Sequence, residues 1–557
     1  MNGSVTGQER RATEGGQCDF DAIVVGAGFG GLRMLLELRR LGLSTRVLEA
    51  GTNVGGTWYW NRYPGARTDS EFSFYTCRFG DDILDDWNWS SRFPAQPEVE
   101  RYLNYIADRL DLRRDIEFES RVTSAVYDEA ANRWRLTTED GREYSGTYFV
   151  GATGVLSAPL APPVPGVEDF QGEWYRTAIW PKEHVDLRGK RVGIVGTGAT
   201  AVQAIPLIAQ EAAHLTVFQR TPNYVIPARN HPLDESERRA VKDKYESVWL
   251  KARQHLFAMA FDPAGRSCAD ATPEERQLIF ERGWETGGFR FIFETFDDII
   301  TSETANDAAS EFVRNKIRTI VKDPKTAELL CPKDHPIGSK RPPLGHYYYE
   351  TYNRDNVSLV NVRGNPIKRV TPTGLLLEDG TEFGLDVIIF ANGFDAATGA
   401  LTRFEVRGRN GQTVKDAWTN GPQTYLGIAI TGFPNLFMIS GPQSPFANIP
   451  VVVEGAVEFI ASTIQHQRKT GDTPIEAKRA ATEAWGKQLD EILAATVVGK
   501  GEAAGTWIVG ANVPGKARKV LFFFGGAGAY YDLCQQEIAE GWPNFTLPNR
   551  GQPATAA

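Results

Sequence analysis

Two glycine-rich turns are the segments of this sequence with the clearest chemical reach. The first, Gly26-Ala27-Gly28-Phe29-Gly30-Gly31, follows the apolar run at residues 20–25 and precedes Leu32, Leu35, Leu36 and Leu38, which are spaced as on a helix. Backbone N–H groups at the start of a helix hold phosphate. Gly26 permits the tight turn, Gly28 lets the backbone approach a pyrophosphate, and Gly31 lets helix and strand pack. A second strand over residues 44–48 ends at Glu49, 23 residues beyond Gly26, the acid position of a dinucleotide fold. A carboxylate there accepts hydrogen bonds from ribose hydroxyls and repels a 2′-phosphate, so this site favours FAD or NAD. The competing reading of Glu49 is a solvated acid at a strand end.

The same order of elements recurs at residues 190–195, followed by Gly196-Thr197-Gly198-Ala199-Thr200-Ala201, a helix rich in Ala, Val and Ile, and a strand over 215–218. Ala201 stands at the third glycine place, a replacement the fingerprint tolerates. Arg220 lies 24 residues beyond Gly196, where the first copy has Glu49. A guanidinium at that place pairs with a 2′-phosphate, which predicts NADPH over NADH; the alternative is a surface arginine. One chain with an acid-ended and an arginine-ended nucleotide fold is expected to be a flavoprotein reduced by NADPH.

These turns need a large α/β frame to position them. At 557 residues the chain has room for three or four units, and the expected fold class is α/β with two Rossmann-like dinucleotide-binding domains and a helical insertion. The FAD-binding domain is expected at 20–152 and 393–540, and the NADPH-binding domain at 153–231 and 333–392. Residues 232–332 are expected to form the helical insertion, with charged and apolar residues at helical spacing over, for example, 236–252 and 310–321. Gly151-Ala152-Thr153-Gly154 and Phe390-Ala391-Asn392-Gly393-Phe394-Asp395 mark the crossings between the two domains, the second with Asn392 where Thr is usual. A disordered leader over 1–19 and a flexible tail over 541–557 complete the division.

The net charge of −9 argues against a nucleic-acid or anionic-membrane partner. With neither a membrane-length apolar run nor a signal-peptide core, the expected location is cytoplasmic. Five cysteines, far apart and without a C-x-x-C pair, speak against a disulfide scaffold, a zinc ribbon or a disulfide reductase. The scattered histidines fit no metal site, so no metal is expected.

Residues 55–69, GGTWYWNRYPGARTD, match GGxWxxxxYPGxxxD at every defined position, and with this segment the chain resembles the flavin-dependent Baeyer–Villiger monooxygenases that carry FAD and NADPH sites together. Gly196 to Gln203, residues 217–222, Lys340-Arg341-Pro342 and residues 507–516 are also similar to cyclohexanone and phenylacetone monooxygenases. One position departs: the linker pattern FxGxxxHxxxWP is FQGEWYRTAIWP at 170–181, with Arg176 at the histidine place. Arginine cannot deliver a proton near neutral pH but still donates hydrogen bonds; the competing reading is a solvated linker residue.

The resemblance implies FAD and NADPH as cofactors and a ketone and O2 as partners. NADPH reduces the flavin, a C4a-peroxide forms, and the ketone becomes an ester or lactone. It assigns catalytic roles to Arg341 beside the flavin, to Asp69 as the group orienting it, and to Trp507 on a closing loop. It places Thr57, Trp58, Asp69, Tyr75 and Val122, with Gly26, Gly28, Gly31 and Glu49, against FAD. It places Gly196, Thr197, Gly198, Ala201, Gln203, Arg220, Thr221, Lys340, Arg341 and Arg176 against NADP. The substrate pocket draws on residues 441–450 and on those after Arg341, where His346 either touches substrate or is structural. The alternatives are a monooxygenase oxidising nitrogen or sulfur, and an uncoupled or non-oxygenating NADPH-dependent flavoprotein. Monomer and homo-oligomer both stay open.

Overall fold

The computed structural model describes residues 17–471 and 473–546. It opens with β1 (Gln17–Val25), α1 (Phe29–Arg40) and β2 (Thr45–Leu48). Ala22, Ile23 and Val24 of β1 are fully buried, as expected of a strand covered on both faces in a parallel arrangement. β1 pairs in parallel with β2 on one side and with Glu143–Gly151 on the other. The strands run in the order Glu405–Arg407, Val122–Asp128, Arg133–Thr138, Glu143–Gly151, β1, β2, Ile116–Glu117, with Leu436–Met438 also paired to Glu143–Gly151. This sheet is therefore drawn from both ends of the chain.

The second sheet is built on β3 (Arg191–Val195), α2 (Ala199–Glu211) and β4 (His214–Gln219). Its five strands, ordered Val357–Asn361, β4, β3, Val387–Phe390 and Glu173–Arg176, are all parallel. Ligands of such sheets bind beyond the carboxyl ends of the strands, which is where both glycine turns lie. Between the two parts of this sheet come the helices Glu235–Lys242, Tyr245–Gln254, Pro273–Thr286, Glu303–Ile320 and Pro324–Leu330. Asp234, Thr272, Ser302 and Asp323 cap four of them by accepting from backbone N–H groups. One apolar cluster joins all three parts, with Leu35 of α1, Ile205 of α2 and Phe291 of the helical segment among its members.

Two expectations need correction. Residues 17–19 are not leader but the first residues of β1, paired with Glu143–Ser145; residues 1–16 lie outside the described residues. The tail assignment starts too early, because Phe545–Thr546 pairs with Glu476–Ala477 and Trp542 donates from Nε1 to Thr463 Oγ1 at 2.9 Å. Burial of Trp542 and Phe545 anchors the chain through Thr546, and residues 547–557 lie outside the described residues. The helical spacing over 236–252 is realised as two helices, Glu235–Lys242 and Tyr245–Gln254, because Lys244 leaves helical geometry (φ −121°, ψ 15°). Glu235–Lys242 buries no residue, whereas the following helix buries Trp249 and Ala252, so the two halves answer to different surroundings.

The two crossings between the sheets run side by side. Asp395 N–H donates to Ala158 O at 2.9 Å and Leu160 N–H to Gly393 O at 3.1 Å. The Asn392 amide donates to Ala161 O at 2.6 Å, so the residue that departs from the usual Thr ties one crossing to the other. Each crossing also presses on a glycine turn. A Cβ on Gly26 (φ 104°) would lie 2.5 Å from Ala152 O, and one on Gly196 (φ 113°) 2.7 Å from Ala391 O; only glycine accepts both the angle and the contact.

Candidate active site

A cavity of about 880 Å³ opens between the two sheets and the helical segment. Gly26 and Gly28 form one end of its wall, with Glu49 beside them. A Cβ on Gly28 would meet Gly56 Cα at 3.3 Å, so the bare backbone of both turns is what keeps this passage wide enough for a pyrophosphate. Gly31 lies behind the wall, where a Cβ would sit 1.8 Å from Gly26 O; its absence lets α1 seat against β1. Glu49 is 4% exposed and accepts from Ala27 N–H and Gly51 N–H, each at 2.7 Å. Burial raises its pKa while those two donors pull it back. A carboxylate has about four acceptor positions, so two remain for hydroxyl donors.

Thr57, Trp58, Tyr75 and Val122 continue the wall. Trp58 Nε1 donates to Tyr75 OH at 3.1 Å with the rings edge to face, which fixes both planes against the cavity.

At the centre of the site, Arg341 Nη2 donates to Asp69 Oδ2 at 2.5 Å, and Gln203 Nε2 donates to Asp69 Oδ1 at 3.2 Å. Burial raises the Asp69 pKa, opposed by Arg341 and by the Gln203 hydrogen bond. Three distant pieces of chain therefore meet on one carboxylate. Gln203 makes this possible by gripping the whole segment: its Oε1 accepts from Tyr63 OH at 2.8 Å, and its Nε2 also donates to Arg67 O at 3.2 Å. Gly65 (φ 82°) is required here because a Cβ would lie 2.3 Å from Gln203 O. The sequence reading gave Gln203 only a nucleotide contact; its hold on Asp69 is a product of packing that no local spacing announces.

Trp507 lines the cavity from the short turn Trp507–Val509 and packs on Phe446 and Phe522, with ring centroids 5.5 and 5.2 Å away. From residues 441–450, Pro445 to Ile449 reach the wall, and the helical segment adds Phe257, Phe289, Ile292 and Phe293. These segments thus give the wall Phe257, Phe289, Phe293, Phe446 and Trp507 as aromatic side chains. His346 does not join it: its Nε2 is buried without a partner, and burial together with Arg67 pushes its pKa down to about 3, leaving a neutral imidazole.

The second turn reaches this cavity only at Ala199 and Thr200, and its glycines lie off the wall. Gly198 has no heavy atom within 4 Å of its would-be Cβ, so the backbone there is open to an approaching group, whereas Ala201 is fully buried in the packing of α2. Thr197 Oγ1 donates to Thr221 O at 3.0 Å, fixing the turn to the end of β4. Arg220 is exposed at that end. Lys340 Nζ donates to Ala504 O at 3.3 Å, and a Cβ on Gly505 would lie 3.3 Å from Arg220 Nη2, so both cations converge on the same short segment. Burial, and then the charge of Arg220, push the Lys340 pKa down to about 8. Arg176 is elsewhere: it ends the edge strand Glu173–Arg176 and lines the cavity with Ser157 and Arg403.

Residues 23–242 match the family described as pyridine nucleotide-disulphide oxidoreductase. The chain is 45% identical to a Baeyer–Villiger monooxygenase of Pseudooceanicola batsensis, covering 95% of this chain and 96% of the relative. It is also 45% identical to phenazine N-monooxygenase PhzNO1 of Lysobacter antibioticus, covering 95% and 97%. Among solved structures, cyclohexanone monooxygenase from Rhodococcus sp. Phi1 bound to NADP+ superposes with a TM-score of 0.92 at 42% identity, covering 95% of this chain and 99% of the other. A complex of OTEMO with FAD and NADP superposes with a TM-score of 0.91 at 38% identity, covering 95% and 99%.

Proposed function

The chain belongs to the flavin-dependent Baeyer–Villiger monooxygenases, and we propose that its Asp69–Arg341 pair is the reacting centre at which a ketone becomes an ester or lactone. Overall, ketone, O2, NADPH and a proton give ester, water and NADP+, with one oxygen atom entering the product. The first glycine turn would hold FAD and the second NADPH, and the two together would supply the two-electron activation of O2. The observation that carries the reading is the guanidinium of Arg341, held to a buried carboxylate inside a cavity whose wall includes Phe257, Phe289, Phe293, Phe446 and Trp507.

Arg341 stays cationic and stabilises the negative charge that develops on oxygen as the carbonyl is attacked. Asp69, itself held by Gln203, fixes that guanidinium in one orientation. Phe257, Phe293, Phe446 and Trp507 keep water from the developing charge, which strengthens the same electrostatic contact. Glu49, Thr57, Trp58, Tyr75 and Val122 face the flavin nucleotide, with residues 20–152 and 393–540 as its domain. Residues 153–231 and 333–392 form the NADPH domain, where Arg220, Thr221 and Lys340 take the 2′-phosphate and Gly196, Thr197 and Gly198 the pyrophosphate. Arg176, facing the cavity, donates hydrogen bonds where a histidine is usual. No helix among the described residues is long and apolar enough to cross a membrane.

A second reading, oxygen transfer to an aromatic ring nitrogen, is favoured by the identity to the phenazine N-monooxygenase. Steady-state turnover with NADPH, comparing cyclic and aryl ketones with phenazine and identifying products by mass spectrometry, tests the choice. Ester formation from ketones supports the first reading; an N-oxide from phenazine without ester from any ketone supports the second.

A further inference from the structure

The reacting centre has a second arginine beside it. Arg67 is two residues before Asp69, and its side chain opens onto the same cavity. Its backbone is fixed: its N–H donates to Gln203 Oε1 at 3.4 Å, its carbonyl accepts from Gln203 Nε2 at 3.2 Å, and it bridges to Ala95. Its guanidinium is not fixed. Among the described residues no hydrogen bond or ion pair engages it, and Asp69, the nearby carboxylate, already holds Arg341 on one oxygen and Gln203 on the other. Four other arginines withdrawn from water each hold a glutamate: Arg33 with Glu454, Arg92 and Arg290 with Glu71, Arg253 with Glu458. Burial lowers the pKa of Arg67 by more than the charge of Asp69 raises it, as expected of a cation whose lost water is not fully replaced. Such a group is costly in a folded chain unless an anion reaches it.

We propose that Arg67 receives a carboxylate carried by the substrate, so that keto acids are the substrate class this site selects. The proposal rests on the cavity being the ketone site. Arg67 is packed against the side chain of Gln203, in the second turn of α2, past the Gly198–Ala199 start where helix N–H groups hold phosphate. The same cavity is walled by Phe257, Phe289, Ile292 and Phe293 of the helical segment. Lining one cavity with Arg341 and these apolar side chains, Arg67 can take the far end of an organic substrate whose carbonyl is at Arg341. A guanidinium takes a carboxylate through two parallel N–H donors, a geometry that a neutral amide of the same shape cannot fill.

The test uses the oxidised, flavin-loaded enzyme with NADP+ present, so that nothing turns over, and titrates 4-acetylbenzoate and 4-acetylbenzamide while following the flavin absorbance. The wild type is expected to bind the acid about tenfold or more tightly than the amide, the scale of one charge-assisted contact. Arg67→Met is expected to bring that ratio close to one, and Arg67→Lys to restore part of it. The proposal is overturned if the wild type shows no preference, or if the preference survives Arg67→Met. It is also overturned if Arg67→Met weakens NADP+ binding and leaves the acid-to-amide ratio alone, since the guanidinium then serves the nucleotide. Adding NADPH and O2 separates this claim from the one beneath it: preferential binding of the acid without ester from either compound keeps the Arg67 site and contradicts ketone oxidation.

Discussion

Two opposing effects meet at Asp69, where burial raises the carboxyl's affinity for protons and Arg341 and Gln203 lower it. Removing Arg341 removes the cation at the reacting centre and leaves Asp69 buried without its counter-charge. Arg341→Met is therefore expected to lower the rate of ester formation by about 10²–10³-fold, the cost of one missing donor to a developing oxyanion. Flavin content should be retained, as read from the absorbance of the purified variant. Lys340 gives a prediction in pH. With its pKa pushed down to about 8 by burial and by Arg220, it is charged below that pH and neutral above it. A 2′-phosphate gains from the charged form, so KM for NADPH should be level below about pH 8 and rise above it, KM for NADH should not follow, and Lys340→Met should flatten the profile. The places of Glu49 and Arg220, directly after β2 and β4, were legible in the sequence because each lies at a set distance from its own glycine turn. The grip of Gln203 on Asp69 was not, since the two are 134 positions apart and meet only through packing between α2 and residues 63–69.

The glycine turns behave differently as elements, although they read alike as sequence. A Cβ at Gly31 would fall 1.8 Å from Gly26 O, while one at Gly198 meets nothing within 4 Å. Gly31→Ala should therefore unseat α1 from β1 and give insoluble or flavin-free protein. Gly198→Ala should fold with an unchanged melting temperature yet raise KM for NADPH roughly tenfold, because the added methyl obstructs the approach of a pyrophosphate. Strand, turn and helix in both copies were legible because their apolar runs and glycines are local signals. The break at Asp243–Lys244 was not, because charged residues at helical spacing continue across it and only the burial of Trp249 sets the second helix apart. Nor was the pairing of Phe545–Thr546 with Glu476–Ala477, whose partners are distant in sequence and whose strands are two residues long. Asn392, where Thr is usual, ties one crossing to the other.

Across the whole molecule, the first sheet takes strands from residues 17–151 and 405–438, so the ends of the chain must be held together. One clamp is Arg33 of α1, whose Nε reaches both carboxylate oxygens of Glu454 in α3 (Ile449–Thr470) at 3.0–3.1 Å, with both residues buried. Breaking one side of a buried ion pair leaves an uncompensated charge, so Arg33→Met should cost about 3–5 kcal/mol in denaturant unfolding, and Arg33→Met with Glu454→Leu distinctly less. The two-nucleotide plan was legible because it is written twice in one grammar; the cavity between the copies was not, because its walls come from segments that only the paired crossings bring face to face. The central claim, that this cavity inserts oxygen from O2 beside a ketone carbonyl, has one direct test. Purified flavin-loaded enzyme is supplied with NADPH, cyclohexanone and ¹⁸O2, and the product is examined by mass spectrometry. The expected result is a lactone carrying a single ¹⁸O, formed in proportion to NADPH consumed; NADPH oxidation that yields only hydrogen peroxide, with cyclohexanone and every other ketone recovered unchanged, would contradict it.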